Sequence, residues 1–370
     1  MKKFLYITDQ DEYTDHSFIG AFFEKYLGKY FDTNILYFSE FKSDFERKDE
    51  QRFILPLKLK KELLDELSKN GIDINSYDYI VVRNDFDTLK HILKRKIKHN
   101  YKVGFRLSFS KRIVKLQEDE VNNKKSIFDV IGNSIKTISE TNLINECDIF
   151  IPTSEHIKKE FFPNIKIKTF SIPPAIDPEI LYENIQHVED FKRFFYAGTL
   201  DKLRDFETIL KAFSQINSNQ FRLSISTKDP EYAKKMLSNF PNLKNCVEVY
   251  NARTKSELLQ LIAKADVGLS ILPDIALFNS STPVKILDYY SSGIPCIMTN
   301  STNNQELFKS DIEAWFCKFD ENSIKEKLEE IISLSKEEVA QIGINGQKRL
   351  LEVRNHEKIS KNFALELDLL

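Results

Sequence analysis

The sequence predicts an α/β protein with two domains, each built around a parallel β-sheet covered by helices. Short apolar runs alternate with longer amphipathic segments along the 370 residues, and this alternation is typical of βαβ units. The alternation pauses at a proline-dense stretch near residue 175 and then restarts. A chain of this length, with a hydrophobic content of 41%, is long enough to form two cores of ordinary size.

In the first half of the chain, the alternation predicts strands at residues 4–8, 34–38, 79–83, 103–107 and 148–152. Helices are predicted between them at residues 17–29, 57–69, 87–98 and 127–145. The run YIVVR at 79–83 is apolar on both alternating faces, as expected where helices cover both sides of a parallel sheet.

After the pause, strands are predicted at residues 194–198, 221–226, 247–250 and 267–272, and another begins at Cys296. Helices are predicted at 206–213, 231–239, 255–264, from 283 onward, 323–334 and 336–354. The stretch IPPAIDP at 172–178 and the polar residues after it mark the boundary. We therefore expect an N-terminal domain at 1–175, a linker at 176–190, a C-terminal domain at 191–350 and a tail at 351–370.

Composition excludes several classes of protein. A formal charge of −2 argues against a nucleic-acid-binding protein. The cysteines are widely spaced, in no zinc-binding pattern, and indicate buried thiols in a reduced compartment: Cys147, Cys246, Cys296 and Cys317. The N-terminus resembles a first core strand more than a signal peptide, and no apolar run approaches the ~20 residues that span a bilayer. These features predict a cytoplasmic protein.

The basic segment KHILKRKIKHNYK at 90–102 has two interpretations. It is amphipathic, so it is suited to an anionic membrane surface, which would place the protein at the inner face of the plasma membrane. The alternative is an ordinary helix whose charged face is solvated.

The segment SSTPVKILDYYSSGIP at 280–295 predicts a helix with an anion site at its N-terminus. Thr282 is suited to the N-cap, and Pro283 to the first helical position. The free N–H groups of a first helical turn attract phosphate, and Lys285 adds a positive charge. Asp288 lies three residues later on the same face, where its carboxylate suits ribose hydroxyls. This pattern favours a nucleotide diphosphate over an ordinary surface ion pair.

Three segments carry a resemblance to the GT-B glycosyltransferases, especially the retaining family-4 enzymes that use nucleotide-sugar donors. The first is CDIFIPTS at 147–154 with the hinge IPPAID, in which Ala175 replaces the family's glycine. The second is YAGTLDKLRDFETILKAF at 196–213, similar to the family's Gly-Arg-Leu, Lys-Gly and Leu-Ile-x-Ala-Phe series. There Arg204 takes the position of a lysine that contacts the donor diphosphate, and Thr199 that of an arginine.

The third segment, 265–306, resembles the variant with Pro-x-Lys-x-x-Glu-Tyr and Gly-x-Pro. Asp288 takes the position of the ribose-binding glutamate, and Ser280 that of the upstream glutamate. The likeness covers about half of the residues, mostly in the C-terminal domain. It implies two Rossmann-like domains with parallel sheets facing across a cleft, and a tail that crosses back to the N-terminal domain.

The resemblance implies transfer of a sugar from a UDP- or GDP-sugar to a hydroxyl of a glycan or lipid-linked acceptor, with retention and without a metal ion or cofactor. Bacterial surface polysaccharide assembly is the expected setting. The expected catalytic residues are Arg204, Lys285 and His16. The expected donor-binding residues are Gly198, Thr199, Lys202, Ser226, Tyr250, Arg253, Ser280, Ser281, Thr282, Pro283, Val284 and Asp288. The acceptor-binding candidates are Asp15, Arg106 and Ser108.

Two other functions remain open from the sequence. One is a GT-B epimerase that releases UDP, although such enzymes need more carboxylates and histidines in the cleft than this chain provides. The other is a non-catalytic subunit that binds a sugar nucleotide or glycan in a polysaccharide complex. The departures at Thr199 and Ser280 are compatible with that second alternative.

Overall fold

The structure is a computed structural model that describes residues 1–10, 18–96, 100–108, 111–122, 127–185 and 189–370. The chain divides into two compact units. Unit 1 comprises Met1–Pro173 together with His356–Leu370, and unit 2 comprises Pro174–Asn355. The two candidates Asp15 and His16 lie outside the described residues.

Two sheets and the helices that flank them account for most of the described chain. The strands are β1 Lys3–Ile7, β2 Asp32–Ser39, β3 Glu46–Arg47, β4 Arg52–Pro56, β5 Tyr79–Arg83, β6 Lys102–Leu107, β7 Ile149–Pro152, β8 Lys168–Thr169, β9 Lys192–Ala197, β10 Phe221–Ser226, β11 Val247–Tyr250, β12 Val267–Ser270, β13 Cys296–Thr299 and β14 Trp315–Cys317. The α-helices are α1 Leu63–Lys69, α2 Phe86–Lys96, α3 Lys111–Val121, α4 Ile127–Asn145, α5 Glu155–Phe161, α6 Phe206–Ser214, α7 Pro230–Leu237, α8 Lys255–Ile262, α9 Ala276–Asn279, α10 Val284–Ser291, α11 Thr302–Leu307, α12 Glu321–Ser333, α13 Lys336–Val353 and α14 His356–Asp368.

The sheet of unit 1 has the strand order β3-β4-β2-β1-β5-β6-β7-β8 in the described residues. Its pairs are parallel except that of β3 with β4. The central strand β1 lies between β2 and β5, with Leu5 opposite Asn34 and Ile80. Apolar side chains from β1, β2, β5 and β7 pack against the segment 19–31 and against α14. The C-terminal helix therefore completes the core of the first unit.

The sheet of unit 2 has the order β11-β10-β9-β12-β13-β14, and its described pairs are parallel. Successive residues of β9 alternate between the two faces of this sheet. Phe194 and Tyr196 join a core cluster with α6 and α12, while Phe195 and Ala197 join one with α8 and α10. Because both faces are covered, both sets are apolar. The α/β class with two parallel-dominated sheets is thus confirmed.

Several elements differ from their predicted form. The strand predictions at 79–83, 221–226 and 247–250 match β5, β10 and β11. The helix predicted at 17–29 is instead π-helical at Gly20–Tyr26 and 3₁₀ at Leu27–Lys29. The aromatic residues of this segment face the core in an α-helix and in a π-helix alike, so hydrophobic spacing does not distinguish the two kinds of helix. The short strands β3, β4, β8 and β14 were not predicted, because two to five residues carry too little periodicity.

The segment expected to be a linker, 176–190, belongs to unit 2 wherever it is described. The Tyr182 N–H donates to the Ser291 carbonyl at 2.8 Å, and the Ile185 N–H donates to the Ala263 carbonyl at 2.8 Å. These bonds hold residues 182–185 against the helices of unit 2. The boundaries fall at 173/174 and 355/356 in the structure.

The basic segment 90–102 is described at 90–96 and 100–102, and residues 97–99 lie outside the described residues. The apolar face of α2, including Leu89 and Ile92, is buried in unit 1. An apolar face that is already buried cannot insert into a lipid surface. The membrane interpretation therefore gains no support from the described part of this helix. Within the described ranges, no helix combines the length and apolarity needed to cross a bilayer.

Candidate functional site

The helix α10 begins at Val284, one residue later than the N-cap at Thr282 predicts. Pro283 has an extended ψ of 136° and is itself the N-cap, without a side-chain cap. The buried Thr282 hydroxyl instead accepts a hydrogen bond from Asn303 Nδ2 at 3.1 Å. The assignment of Thr282 as N-cap is therefore wrong. An uncapped first turn presents N–H groups that no helical carbonyl satisfies, which is the property that an anion requires.

Tyr289 fixes α10 against the sheet of unit 2. Its hydroxyl accepts a hydrogen bond from the Ala197 N–H at 3.0 Å and donates one to the Leu269 carbonyl at 3.1 Å. The ring lies against Gly268, where an added Cβ would come within 2.3 Å of it. This packing holds the helix beside the carboxyl ends of β9 and β12, the edge at which ligands bind in such sheets.

Lys285 is the central cation of the predicted site. Its Nζ is buried without a hydrogen-bond partner and lies 3.9 Å from the centroid of the Tyr196 ring. A Cβ at Gly198, whose φ is +146°, would lie 3.3 Å from that Nζ. Burial, followed by the nearby positive charge of Arg204, lowers the pKa of the Lys285 amine to about 7. A buried amine without a counter-charge is costly unless a ligand supplies one.

Arg204 lies close enough to Lys285 to lower its pKa, so the structure brings the two predicted cations together. The Arg204 guanidinium forms an ion pair with Asp201 and lies 5.7 Å from the centroid of the Phe278 ring. Asp201 also accepts hydrogen bonds from the Arg204 N–H at 3.0 Å and from the Thr199 hydroxyl at 3.1 Å. The loop after β9 is thus held in place by one carboxylate.

Asp288 is buried, and its carboxylate forms an ion pair with Lys255 of α8. The carboxylate that is predicted to bind ribose is therefore already paired with a lysine of the protein. At the end of β10, the buried Ser226 accepts a hydrogen bond from the Gly198 N–H through its carbonyl at 3.0 Å. This bond ties the donor-side loop to the next strand.

The remaining donor candidates take different positions. Lys202 is exposed beside Arg204, and Val284 is exposed at the first position of α10. Ser280 is buried after α9, and its hydroxyl donates to the Ala276 carbonyl at 2.6 Å. Ser281 is half-buried between Ser280 and Thr282.

Tyr250 is the last residue of the edge strand β11, and Arg253 follows it. The Tyr250 hydroxyl bonds to Glu248, and the exposed Arg253 donates its N–H to Glu257 at 2.7 Å. In this conformation they make no described contact with Lys285 or Arg204.

The acceptor candidates in unit 1 end the strand β6. Arg106 is buried, donates from Nη1 to the Ile172 carbonyl at 3.3 Å, and lies 4.6 Å from the centroid of the Phe18 ring. Burial lowers the pKa of Arg106 to about 10. The half-buried Ser108 hydroxyl accepts a hydrogen bond from Arg83 Nε at 2.7 Å. Of the two, Ser108 is the more accessible to an acceptor.

Two residues of the site were not singled out from the sequence. Tyr196 supports the Lys285 amine, and Lys255 neutralises Asp288. Tyr196 lies in a strand whose alternation predicts a core position, and Lys255 opens a different helix. Only the fold brings them to α10, so their sequence carries no signal for these roles.

Known proteins resemble the chain in part of its sequence and in its fold. Residues 179–349 match the family model described as glycosyl transferases group 1. No curated protein sequence matches the chain. Among solved structures, sucrose-phosphate synthase from Thermosynechococcus elongatus is 14% identical, with a TM-score of 0.76, over 100% of this chain and 99% of that one.

Two other structures are similar over their whole length. HepE of Anabaena, in complex with UDP and glucose, is 13% identical with a TM-score of 0.71, and all of both chains is covered. An α,α-trehalose-phosphate synthase (UDP-forming) from Burkholderia vietnamiensis is 10% identical with a TM-score of 0.69, over 100% of this chain and 99% of that one. Residues 179–349 therefore resemble a glycosyl transferases group 1 domain, and the chain has the GT-B fold of these solved structures.

Proposed function

We propose that the chain transfers a sugar from a UDP- or GDP-sugar to a hydroxyl of a glycan or lipid-linked acceptor. The observation that carries this proposal is the buried Lys285 amine, which has no hydrogen-bond partner at the N-terminal end of α10. Arg204 is the second cation there, and the first turn of α10 adds N–H donors. Two cations and a helix N-terminus form an environment that suits a diphosphate.

In this reaction the bond between the sugar and the diphosphate breaks, and negative charge develops on the departing phosphate. Lys285, Arg204 and the α10 amides would stabilise that charge at positions already set by the fold. We propose that these groups supply the stabilisation that a metal ion provides in other transferases. Asp288 would bind the ribose, with Lys255 exchanging its contact or sharing the carboxylate.

The neighbours support a uridine donor, since HepE was solved with UDP-glucose and the Burkholderia enzyme is UDP-forming. We propose retention of configuration on the resemblance to the retaining family, although Ser280 stands where that family has a glutamate. A product formed with inverted configuration, seen by NMR of its anomeric proton, would contradict retention.

We place the acceptor at the carboxyl edge of the unit 1 sheet, where Ser108 and Arg83 follow β6 and end β5. A sugar hydroxyl or phosphate suits these polar side chains. A structural neighbour, a trehalose-phosphate synthase from Burkholderia xenovorans, was solved in complex with such a compound, glucose-6-phosphate. Assembly of a bacterial surface polysaccharide on the cytoplasmic side is the setting we propose.

The donor is testable by a thermal-shift screen of UDP, GDP, CMP and their sugars. A ligand at 100 times its dissociation constant stabilises the folded protein by about 2.7 kcal/mol, so the correct nucleotide should stand out. If none of these compounds raised the melting temperature, the proposal of a nucleotide-sugar donor would be wrong.

The role of the two cations is testable by Lys285→Ala and Arg204→Ala. Loss of one preorganised donor typically costs about 100-fold or more in rate, so each variant should lose most transfer activity while its circular dichroism is unchanged. Lys244→Ala, at an exposed lysine of the same unit that is not a site candidate, is the matched control and should keep wild-type activity. Full activity of both cation variants would contradict the proposed site.

A further inference from the structure

The Lys285 amine is held in an environment that disfavours its charge. Its Nζ is buried, contacts the face of the Tyr196 ring at 3.9 Å and has no hydrogen-bond acceptor. Gly198 lies directly against it, because a Cβ there would be 3.3 Å from Nζ. The aromatic face is a weak substitute for water or a carboxylate around an ammonium group.

The groups that face Lys285 do not offset the cost of a charge on its buried amine. The positive charge of Arg204 is repulsive, and the carboxylate that attracts both cations, Asp201, is already paired with Arg204. On its own helix, Asp288 is paired with Lys255. Cys296 of β13 and Tyr196 of β9 are both neutral near pH 7, because burial raises the pKa of the thiol and of the phenol.

We propose that binding of the donor diphosphate is coupled to the uptake of one proton by the Lys285 amine. In the free protein the amine is largely neutral above neutral pH and lies on the Tyr196 ring. When the diphosphate binds, its charge stabilises the ammonium form, so the amine takes a proton from solvent and donates hydrogen bonds to phosphate oxygens. This inference rests on the proposed function, since it requires a diphosphate donor at this site.

The pH dependence of donor binding follows from the direction in which the protein shifts the pKa of the Lys285 amine. The pKa of the free amine is lowered to about 7, and a bound diphosphate raises it again. Proton uptake should therefore be near zero at pH 6, where the amine is already charged, and should approach one proton at pH 8.5. Above the pKa of the free amine, the dissociation constant should rise about tenfold per pH unit.

Isothermal titration calorimetry measures this uptake directly. UDP-glucose and GDP-mannose are the probes, since their phosphates are diesters that do not titrate between pH 6 and 8.5. Each is titrated in two phosphate-free buffers at each pH, MES and Bis-Tris at pH 6 and Bicine and Tris at pH 8.5. The difference in apparent enthalpy divided by the difference in buffer ionisation enthalpy gives the number of protons bound. We expect about one proton at pH 8.5 and close to none at pH 6.

Two variants identify the group that titrates. Lys285→Met cannot take up a proton, so its affinity should be weaker than that of the wild type at pH 6, and the difference should narrow as the pH rises to 8.5. Lys285→Arg keeps the charge throughout, so its affinity should not change over this range. His187 is the one histidine that the sequence places between residues 174 and 355, and it lies outside the described residues. The matched control His187→Gln should retain the full wild-type uptake.

The outcomes of these titrations distinguish the proposed proton coupling from the proposed donor site. Tight binding of either nucleotide sugar without proton uptake at pH 8.5 would overturn the proton coupling and leave the proposed function intact. Uptake that disappears in His187→Gln and persists in Lys285→Met would also overturn it. Failure of both probes to bind at every pH would overturn the proposed donor site, and the coupling with it.

Discussion

Asp288 is a buried carboxylate that is predicted to bind ribose and is found paired with Lys255. The pair explains how the carboxylate is tolerated in the interior before a nucleotide arrives, because an isolated buried charge is strongly unfavourable. A ribose hydroxyl can donate to a carboxylate oxygen while the lysine occupies the other. In the proposed function, the pair would therefore leave one carboxylate oxygen for the sugar of the nucleotide.

Replacement of this carboxylate tests the assignment. Asp288→Asn should weaken UDP binding about tenfold or more, because a hydrogen bond to a charged group contributes about 1.5–3 kcal/mol. Affinity is measured by calorimetry at pH 6.5. Glu326→Gln, the same change at an exposed carboxylate on α12, should bind as the wild type does. An unchanged affinity in Asp288→Asn would show that this carboxylate does not contact the nucleotide.

At the scale of residues, the sequence predicts the two cations and the carboxylate of the candidate site, but it carries no signal for the residues that contact them. Lys285 and Asp288 lie on one helix, where a spacing of three places them on one face. Tyr196 and Lys255 reach the same site from β9 and α8, dozens of residues away. Such contacts depend on tertiary packing, so no local pattern indicates them.

At the scale of elements, α10 is positioned by a tyrosine that bonds to two strands at once. The Tyr289 hydroxyl satisfies a buried N–H of β9 and a carbonyl of β12. The close approach requires glycine at 268, since any Cβ there would overlap the ring. The position of the proposed anion site therefore depends on this contact.

Removal of that hydroxyl should loosen the helix without changing its chemistry. Tyr289→Phe leaves a buried N–H and a buried carbonyl unsatisfied, which should lower the stability of unit 2 by about 1–3 kcal/mol. The single tryptophan, Trp315, lies in the sheet of unit 2, so its fluorescence during urea unfolding reports on this unit. Tyr232→Phe, at an exposed tyrosine on α7, is the control and should unfold as the wild type does. Equal midpoints for the two variants would contradict the argument.

A glycine substitution tests the same contact from the sheet side. Gly268→Ala introduces a Cβ within 2.3 Å of the Tyr289 ring, and overpacking of this kind typically costs about 1–3 kcal/mol. Gly132→Ala is the matched control, because a Cβ there meets nothing within 4 Å and the position is helical. It should be neutral or stabilising, since alanine is the better helix former. A Gly268→Ala protein as stable as the wild type would show that the ring can move aside.

The elements most accurately predicted are strands with apolar residues on both faces, such as β5 and β10. The least accurate predictions concern the strands at the edges of the two sheets. β3 and β4 extend one side of the first sheet, and β8 and β14 end the two sheets, each with five residues or fewer. Their pairing with a neighbouring strand stabilises them, and that partner is not visible in a local window.

At the scale of the whole molecule, α14 belongs to the first unit although it ends the chain. Its residues Phe363, Ala364 and Leu367 are buried in the core cluster of unit 1. Hydrophobic spacing predicts helices only as far as residue 354. The alternating charges of the segment after it obscure the apolar face of α14, so this segment is predicted only as a tail. The resemblance, rather than the pattern, indicated that the tail crosses back.

The contribution of α14 to the stability of unit 1 can be measured separately from the stability of unit 2. Phe363→Ala should destabilise unit 1 by about 3–5 kcal/mol, the usual cost of removing a buried phenylalanine. The loss should be seen by circular dichroism at lower urea concentration, while Trp315 fluorescence keeps its midpoint. Leu365→Ala removes an exposed side chain of the same helix and should have little effect. Wild-type stability of Phe363→Ala would show that α14 is not part of that core.

The chain passes from unit 1 to unit 2 after Pro173 and returns after Asn355. On the ribosome, residues 174–355 are therefore all available before the last helix of unit 1 has been made. Unit 2 can finish folding first, while the first 173 residues still lack the helix that covers one side of their core. A premature stop near residue 355 would leave unit 2 whole and unit 1 exposed to chaperones and proteases.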